Sequence, residues 1–210
     1  MLFAMLASLG GPPEERETLA RAQAGDAAAF AALHRRLHRP MGVVAARYLR
    51  DPEAVAEIVQ DTWEAVIRGQ AAFEGRSKLS TWVFSIVANK ARTRATRDQR
   101  WTPLSAVEPE LAGPDSLADS FRADGHWLVA PAPWTRRADE LLAERGAITA
   151  LRGFLEALPA AQRAAVTLRD VEGEEPAAIC ALLGVSDGNL RVLLHRGRLR
   201  LRAQLEEWAR

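Results

Sequence analysis

The sequence predicts an all-α protein with two helical domains joined by a long linker. Apolar residues recur at spacings of three and four along residues 18–100 and again along 148–210, as in amphipathic helices. No segment alternates apolar and polar residues with a period of two, as a half-buried strand would. Residues 101–147 hold five prolines and carry four Arg against eight acids, a composition typical of a linker. We treat residues 1–17 as an N-terminal leader.

The composition indicates a globular chain. Of its 210 residues, 48% are hydrophobic and 26% are charged, so a buried core is expected. The single cysteine, Cys180, excludes an internal disulfide and a multi-thiolate metal site, and it favours a reducing, cytoplasmic compartment. No segment reaches about 18 consecutive apolar residues, so we expect no membrane insertion.

Local signals place the helices of the first domain. A helix is predicted from Phe30 to Tyr48, and Pro40 should kink or break it. Asp51 and Pro52 predict a helix start, with Asp as the N-cap and Pro at the first helical position. This helix has an apolar stripe: Val55, Ile58, Val59, Thr62, Val66 and Ile67. A further helix is predicted to bury Leu79, Trp82, Val83, Ile86 and Val87.

The helix after Pro52 carries a second stripe opposite the apolar one. Its polar members recur every three or four residues: Glu53, Glu57, Gln60, Asp61 and Glu64. Such a stripe is usually a solvated helix face, and it could alternatively dock on a basic partner surface.

A loop with the sequence FEGRSKLSTW precedes a helix with a basic end. Residues 90–100 carry five basic residues against Asp98: Lys90, Arg92, Arg94, Arg97 and Arg100. Basic charge beside Phe73 and Trp82 suits single-stranded nucleic acid. Both aromatic residues could instead be core residues, and the spacing of Trp82 favours the core.

Residues 174–203 predict a helix-turn-helix motif. Gly184 suits the left-handed position that ends a helix, and Ser186 is a good N-cap for the next one. Val185 and Leu190 have the spacing of a hydrophobic staple. The inner face of the second helix is predicted to hold Leu190, Leu193, Leu194, Gly197 and Leu201. Between residues 184 and 204 there are five Arg and one acid, which favours entry into a DNA groove over a merely solvated face.

Other functional classes find little support in the sequence. His34 and His38 are four residues apart, but no acid or cysteine lies nearby to complete a metal site. No glycine-rich phosphate loop, nucleophile elbow or pair of catalytic carboxylates is recognisable. We therefore expect neither an enzyme nor a cofactor.

In combination, these segments resemble a bacterial RNA polymerase sigma factor of the extracytoplasmic-function (ECF) group of the sigma-70 family. DPEAVAEIVQDTW resembles the helix that docks on the polymerase, and FEGRSKLSTWVFSIVANKARTRATR resembles the segment for the promoter −10 element. LPAAQRAAVTLRDVEGEEPAAICALLGVSDGNLRVLLHRGRLRLR resembles the domain that reads the −35 element. The resemblance implies a region 2-like domain at 18–100 and a region 4-like domain at 148–210. It also implies a factor that binds core polymerase, directs it to specific promoters and assists promoter melting.

The resemblance assigns roles by position in the first domain. Contacts to the β′ clamp helices of the polymerase would come from Glu57, Gln60, Asp61 and Glu64, and the β subunit would be a further partner. A pocket for a base flipped from the melted −10 strand would be formed by Glu74, Gly75, Arg76, Ser77, Lys78 and Ser80. Asn89 would help to read that element. Phosphates would be held by Lys90, Arg92, Arg94 and Arg97.

In the second domain, the resemblance implies base contacts in the duplex −35 element from Arg191, Val192 and His195. Phosphate contacts would come from Asn189, Arg196 and Arg198. Members of the group often have Thr, Ser and Arg where this chain has Asn189, Val192 and Leu193. Val192 cannot donate a hydrogen bond and would pack at best on a thymine methyl group. An anti-sigma protein is the expected regulator.

Two other interpretations remain open. A stand-alone helix-turn-helix regulator would bind duplex operator DNA without polymerase, usually as a symmetric dimer, and no dimerisation seam is evident. A protein-interaction module that has lost DNA reading would not need the basic residues of 90–100 and 191–202. The linker residues Trp101, Trp127 and Trp134 could pack on a partner or on the chain itself, or they could be incidental.

Overall fold

The computed structural model describes residues 15–68, 73–74, 77–98 and 146–208. Every regular element in these ranges is helical, so the predicted all-α class is confirmed. The helices before the linker are α1 (Glu15–Gln23), α2 (Ala27–Ala45), α3 (Pro52–Ile67) and α4 (Leu79–Arg97). Those after it are α5 (Ala147–Ala157), α6 (Ala160–Val166), α7 (Pro176–Leu183) and α8 (Asp187–Trp208), with a π-helical turn at Thr167–Val171 after α6. The three linker tryptophans and nearly all of the leader lie outside the described residues.

Aspartate caps fix the starts of α2 and α3. The carboxylate of Asp26 accepts hydrogen bonds from the amides of Ala28 and Ala29, at 2.9 and 3.0 Å. Asp51 accepts one from the amide of Glu53 at 3.1 Å, and a proline occupies the first turn of α3. The predicted start at Asp51 is confirmed, because a side-chain acceptor satisfies an amide that has no partner within the helix.

Helix α2 does not break at Pro40, contrary to one of the two outcomes we expected. It runs on to Ala45, and Pro40 itself is buried with Leu37, Met41 and Val44. A proline inside a helix costs about 3 kcal/mol, whereas burying one large apolar side chain contributes about 1.5–3 kcal/mol. Several such side chains on one face therefore outweigh the lost hydrogen bond.

Burial in α4 follows the predicted face only in part. Leu79, Val83 and Val87 are buried as predicted, and Trp82 and Ile86 are half-buried. The largest buried side chain that the predicted face omitted is Phe84, which is fully buried. Since its neighbour Val83 is also buried, α4 is covered on more than one side.

Helix α8 packs across α6, and glycine makes the crossing possible. The five residues predicted for its inner face are all buried: Leu190, Leu193, Leu194, Gly197 and Leu201. A Cβ atom added at Gly197 would lie 2.7 Å from Cγ2 of Val166. That distance is too short for a side chain, so this close approach requires glycine.

The helices before and after the linker pack against each other. Their buried residues form one continuous cluster, in which α4 packs on α7 and α2 packs on α6. Among the described residues, no single helix is long and apolar enough to cross a membrane. One bent pair, α7 with α8, meets the length and composition test when taken together.

Candidate nucleic-acid and protein interfaces

Helix α3 presents a surface that we call the acidic face. Its members are all exposed: Glu57, Gln60, Asp61 and Glu64. The opposite side of α3 is held in the core by Ile58, Val59 and Val66. Because this apolar side fixes the rotation of the helix, the structure brings the four predicted polar residues together on one surface.

The acidic face borders the basic end of α4. Nη1 of Arg94 lies 3.0 Å from Oε2 of Glu57, and Nε of Arg94 lies 3.1 Å from Oδ2 of Asp98. These two carboxylates raise the pKa of Arg94, and the hydrogen bond that Arg94 donates to Asp98 contributes most. Lys90 donates to the backbone carbonyl of Asp61 at 3.1 Å. Within the part of the chain that the structure describes, the Asp61 carboxylate has no ion-pair partner, so its charge is available to another molecule.

The residues predicted to bind DNA in and beside the loop before α4 differ in their exposure to solvent. Glu74, Ser77 and Lys78 are exposed, whereas Ser80 is buried. Gly75 and Arg76 lie outside the described residues. The Ser80 hydroxyl donates to Oε1 of Glu174 at 2.5 Å, so this side chain is turned towards the second domain.

The half-buried Trp82 lies beside the half-buried Phe73, with their ring centroids 5.3 Å apart. Neither ring is fully buried, so the predicted core position of Trp82 is only partly met.

The basic side of α4 is divided between solvent and the second domain. Asn89 and Arg97 are exposed, and Lys90 is half-buried. Arg92 is half-buried and directs its guanidinium to two acceptors, the Tyr48 hydroxyl at 3.0 Å and the carbonyl of Ala181 at 3.3 Å. The predicted phosphate-binding residues therefore share one helix but not one environment.

The predicted helix-turn-helix motif is confirmed. Helices α7 and α8 meet at 95°, within the range of this motif. Gly184 adopts the left-handed conformation, with φ 65° and ψ 44°. The Ser186 hydroxyl accepts a hydrogen bond from the Asn189 amide at 3.3 Å. Leu190 is buried and Val185 is half-buried, as a hydrophobic staple requires.

The residues predicted to face DNA on α8 occupy two kinds of environment. Arg191 is exposed and pairs with Asp187 at 2.5 Å. Also reachable from solvent, though half-buried, are Asn189, Val192 and Arg196. The structure therefore presents four of the six predicted side chains on the outer side of the helix.

His195 and Arg198 have environments different from those we expected. His195 is only 9% exposed, and burial, with smaller contributions from Arg196 and Arg198, lowers its pKa. Arg198 binds the buried carboxylate of Asp170 through two hydrogen bonds of 2.7 and 2.9 Å. In this conformation Arg198 ties α8 to the π-helical turn that holds Asp170.

Sequence reasoning missed Tyr48, Asp170 and Glu174. The pairs that they form are far apart in the chain: 28 residues separate Asp170 from Arg198, 94 separate Glu174 from Ser80, and 134 separate Tyr48 from Leu182. No local spacing links such partners, so the sequence held no signal for them.

The histidine pair of α2 packs against an aromatic ring. The rings of His34 and His38 stack at 4.3 Å, and Nδ1 of His38 accepts a hydrogen bond from Nε1 of Trp63 at 3.3 Å. Burial and the neighbouring His34 lower the pKa of His38. The described residues contain no group of three or more side chains that could hold a metal ion.

Comparison with known proteins supplies the family. Residues 32–102 match the family model for sigma-70 region 2, and residues 148–201 match that for sigma-70 region 4. The RNA polymerase sigma factor CarQ of Myxococcus xanthus is 32% identical, over 77% of this chain and 80% of that protein. The ECF RNA polymerase sigma factor SigM of Mycobacterium tuberculosis is 29% identical, over 89% and 82%. The ECF RNA polymerase sigma-E factor of Escherichia coli is 27% identical, over 85% and 87%.

Two solved structures are similar at lower levels. One is the sigma factor RpoE in complex with the anti-sigma factor NepR from Bartonella quintana, with 21% identity, a TM-score of 0.45, and coverage of 84% of this chain and 96% of that chain. The other is CnrH in complex with the cytosolic domain of CnrY, with 20% identity, a TM-score of 0.43, and coverage of 93% and 99%.

The two family models match in the order region 2 then region 4, and the helix-turn-helix motif lies within the region 4 match. Proteins of this family are non-catalytic initiation factors, which agrees with the expectation that the chain is not an enzyme. The chain belongs to the ECF group of the sigma-70 family and is a sigma factor that directs RNA polymerase to promoters.

Proposed function

We propose that three surfaces of this sigma factor bind different partners during transcription initiation. The acidic face would dock on core polymerase, α4 with its preceding loop would bind the melted −10 element, and α8 would read the duplex −35 element. The observation that carries this proposal is the exposure of all four members of the acidic face, which leaves them accessible to a partner protein.

The polymerase contact assigned to the acidic face is the β′ clamp helices, with the β subunit as a further contact. Three carboxylates and one amide lie on one side of α3, and a basic partner surface would complement them. Charge complementarity of this kind chiefly speeds association and excludes wrong partners. Asp61 is the strongest candidate for a direct pair, because no described side chain neutralises it.

The −10 contact is assigned to residues on α4 and in the loop before it. A flipped base would enter the loop pocket, which includes Glu74, Gly75, Arg76, Ser77, Lys78 and Ser80. Asn89 would help to read the element, and phosphates would be held by Lys90, Arg92, Arg94 and Arg97. Base flipping costs a few kcal/mol of unstacking, which the binding free energy of the whole polymerase complex can supply.

The −35 contact is assigned to the N-terminal half of α8. Arg191 and Val192 would approach base edges, while Asn189 and Arg196 would contact phosphates that fix the register. His195 and Arg198, predicted for the same surface, would reach DNA only by leaving their buried contacts.

The remaining proposals concern organisation and control. We propose domains at 18–100 and 148–210 with a linker at 101–147, and we place the protein in the cytoplasm, where polymerase and promoters are found. A separate anti-sigma protein that occludes these surfaces is the proposed regulator, as the ECF group implies.

Run-off transcription tests the proposed function. Core polymerase would be assayed with and without this chain on fragments of the genome that encodes it, including the region upstream of its own gene. New discrete transcripts that require both proteins are expected. Firm duplex binding by the chain alone, without any transcript, would instead indicate a stand-alone regulator. If neither activity is seen, either an activating condition is missing from the assay or the chain is a protein-interaction module.

A further inference from the structure

We propose that Glu174 is a latch that closes the two domains on each other and covers the −10 reading surface of the first domain. This inference rests on the function proposed for α4 and its preceding loop. Glu174 lies in the second domain, just before α7, and it is only 1% exposed.

Both carboxylate oxygens of Glu174 are occupied from the other domain. Oε1 accepts the Ser80 hydroxyl at 2.5 Å, and Oε2 accepts the Thr81 hydroxyl. Both hydroxyls lie in the first turn of α4, whose N-cap residue Lys78 makes no side-chain capping hydrogen bond. A carboxylate at this end of a helix also interacts favourably with the helix dipole.

The backbone around Glu174 is fixed in the second domain. Its amide donates to the carbonyl of Leu168 at 2.9 Å, and its carbonyl accepts Nη1 of Arg169 at 2.7 Å. The preceding Gly173 has a positive φ of 65°, which favours glycine. The backbone that carries the Glu174 carboxylate is therefore already fixed by contacts within the second domain. Closing the two domains does not have to order this segment.

Other hydrogen bonds between the domains reinforce the latch. Lys78 donates its ammonium group to the carbonyl of Gly173 at 2.7 Å. At the far end of α7, Arg92 donates to the carbonyl of Ala181 at 3.3 Å, and the Tyr48 hydroxyl donates to the carbonyl of Leu182. Lys78 and Arg92, like Ser80, were assigned to −10 DNA, so the closed state occupies three of those residues.

The latch offers these donors the same chemistry as DNA. Hydroxyl, ammonium and guanidinium groups that bind carboxylate or carbonyl oxygens also bind phosphate oxygens and base carbonyls. A donor that is bound to an oxygen of the second domain cannot bind a DNA oxygen at the same time. Closure and −10 binding are therefore competitive.

The closed state is also too small to read both promoter elements. The −10 and −35 elements are separated by about 25 base pairs, or about 85 Å of duplex at 3.4 Å per base pair. A compact chain of 210 residues has a radius of gyration of about 17 Å, so it is about 45 Å across. Two-element recognition must separate the domains, and polymerase and promoter shift the equilibrium only by binding the open state better.

The test uses the full chain with Glu174 replaced by Gln or Ala, and E175Q as the matched control, since Glu175 is exposed and adjacent. Small-angle X-ray scattering would report the radius of gyration, and hydrogen exchange would report opening at the start of α4. Losing hydrogen bonds to a charged group should shift the open–closed ratio by tenfold or more. E174A should therefore expand the chain and speed exchange at Ser80–Phe84, with unchanged helicity, and E175Q should match wild type. If E174A and E174Q both match wild type, the latch is overturned.

A variant on the other side of the contact keeps the test decisive if E174A folds poorly. The S80A/T81A change removes the two donors, so it should open the domains to a similar extent. Combining it with E174Q should add little further opening, because each variant removes the same contact. Fully additive opening would contradict the latch.

A binding measurement separates the latch from the proposed function. The probe is a fluorescent oligonucleotide carrying the non-template −10 strand of a promoter found by run-off transcription. E174Q should bind it about tenfold more tightly than wild type and E175Q do. Equal affinities despite domain opening would overturn the proposed covering of the −10 surface. If run-off transcription yields no promoter but E174A opens the domains, the proposed function fails and the intramolecular contact stands.

Discussion

Arg191 and Arg198 lie two turns apart on α8 and form ion pairs that differ in burial. Arg191 pairs with Asp187 at the surface, and the two side chains are 50% and 58% exposed. Arg198 is 30% exposed and pairs with Asp170, whose side chain is 1% exposed. An exposed pair contributes at most about 1 kcal/mol and is easily exchanged for DNA. Removing one partner of a buried pair leaves an uncompensated charge and is far more costly.

R198A should therefore destabilise the fold. We expect a loss of roughly 2–4 kcal/mol in the free energy of unfolding, reduced from the fully buried case because Arg198 is partly exposed. Urea unfolding followed by circular dichroism measures it. R200A is the matched control, since the exposed Arg200 makes one hydrogen bond of 3.1 Å to Gln162. Equal stabilities of the two variants would show that Arg198 is free to bind phosphate instead.

R191A should leave stability almost unchanged and weaken −35 recognition. Loss of a base-edge contact typically costs about 1–3 kcal/mol, or roughly five- to 150-fold in affinity for the specific site. Holoenzyme binding to promoter fragments with intact or scrambled −35 elements measures this discrimination. Uniform weakening on both fragments would indicate a phosphate contact, and no weakening would remove Arg191 from the interface.

Two histidines, the buried His195 and the more exposed His38, predict how stability depends on pH. Burial lowers the pKa of His195 and of His38 below the ordinary value of 6.5. The unfolded chain therefore takes up these protons first as the pH falls, so the stability conferred by neutral histidine is complete above about pH 6.5 and declines below it. Urea unfolding at pH 7.5, 6.5 and 5.5 should show this decline, and H38Q should reduce it. An identical decline in H38Q would assign it to other groups.

At the scale of elements, the crossing of α8 over α6 depends on Gly197. G197A would place a Cβ atom 2.7 Å from the Val166 side chain. Overpacking of this kind costs about 1–3 kcal/mol, which should exceed the gain of about 1 kcal/mol in helix propensity. G153A in α5 is the matched control, because a Cβ atom there would meet nothing within 4 Å. We expect thermal unfolding to show a lowered Tm for G197A and an unchanged or raised Tm for G153A; the reverse order would contradict the packing.

Elements with local signals were predicted well. The cap at Asp51 and the left-handed turn at Gly184 were predictable, because each depends on one residue and its immediate neighbours. The course of α2 through Pro40 was not, because the burial that outweighs the proline comes from other helices. The inward turn of Arg198 was missed for a related reason: its partner Asp170 belongs to a different element.

At the scale of the whole molecule, the structure added the contact between the two domains. The sequence indicated a basic side on α4 and a helix-turn-helix motif. It contained no pattern that predicts the contact between Ser80 and Glu174, which are 94 residues apart. The acidic face differs, since its four members lie on a single helix and periodicity alone places them together. The acidic face was thus predictable, whereas the contacts between elements that bury His195 and Arg198 and join the two domains were not.

The most direct test of the central claim is charge reversal on the acidic face. D61K/E64K would be compared with E17K/E207K, which reverses two exposed carboxylates that are not assigned to any of the three proposed interfaces. Both chains would be assayed for binding to core polymerase and for run-off transcription from a promoter that the wild-type chain activates. We predict that D61K/E64K loses polymerase binding and transcription together while keeping its helicity, and that E17K/E207K retains both. Full transcription by D61K/E64K would contradict polymerase docking through the acidic face.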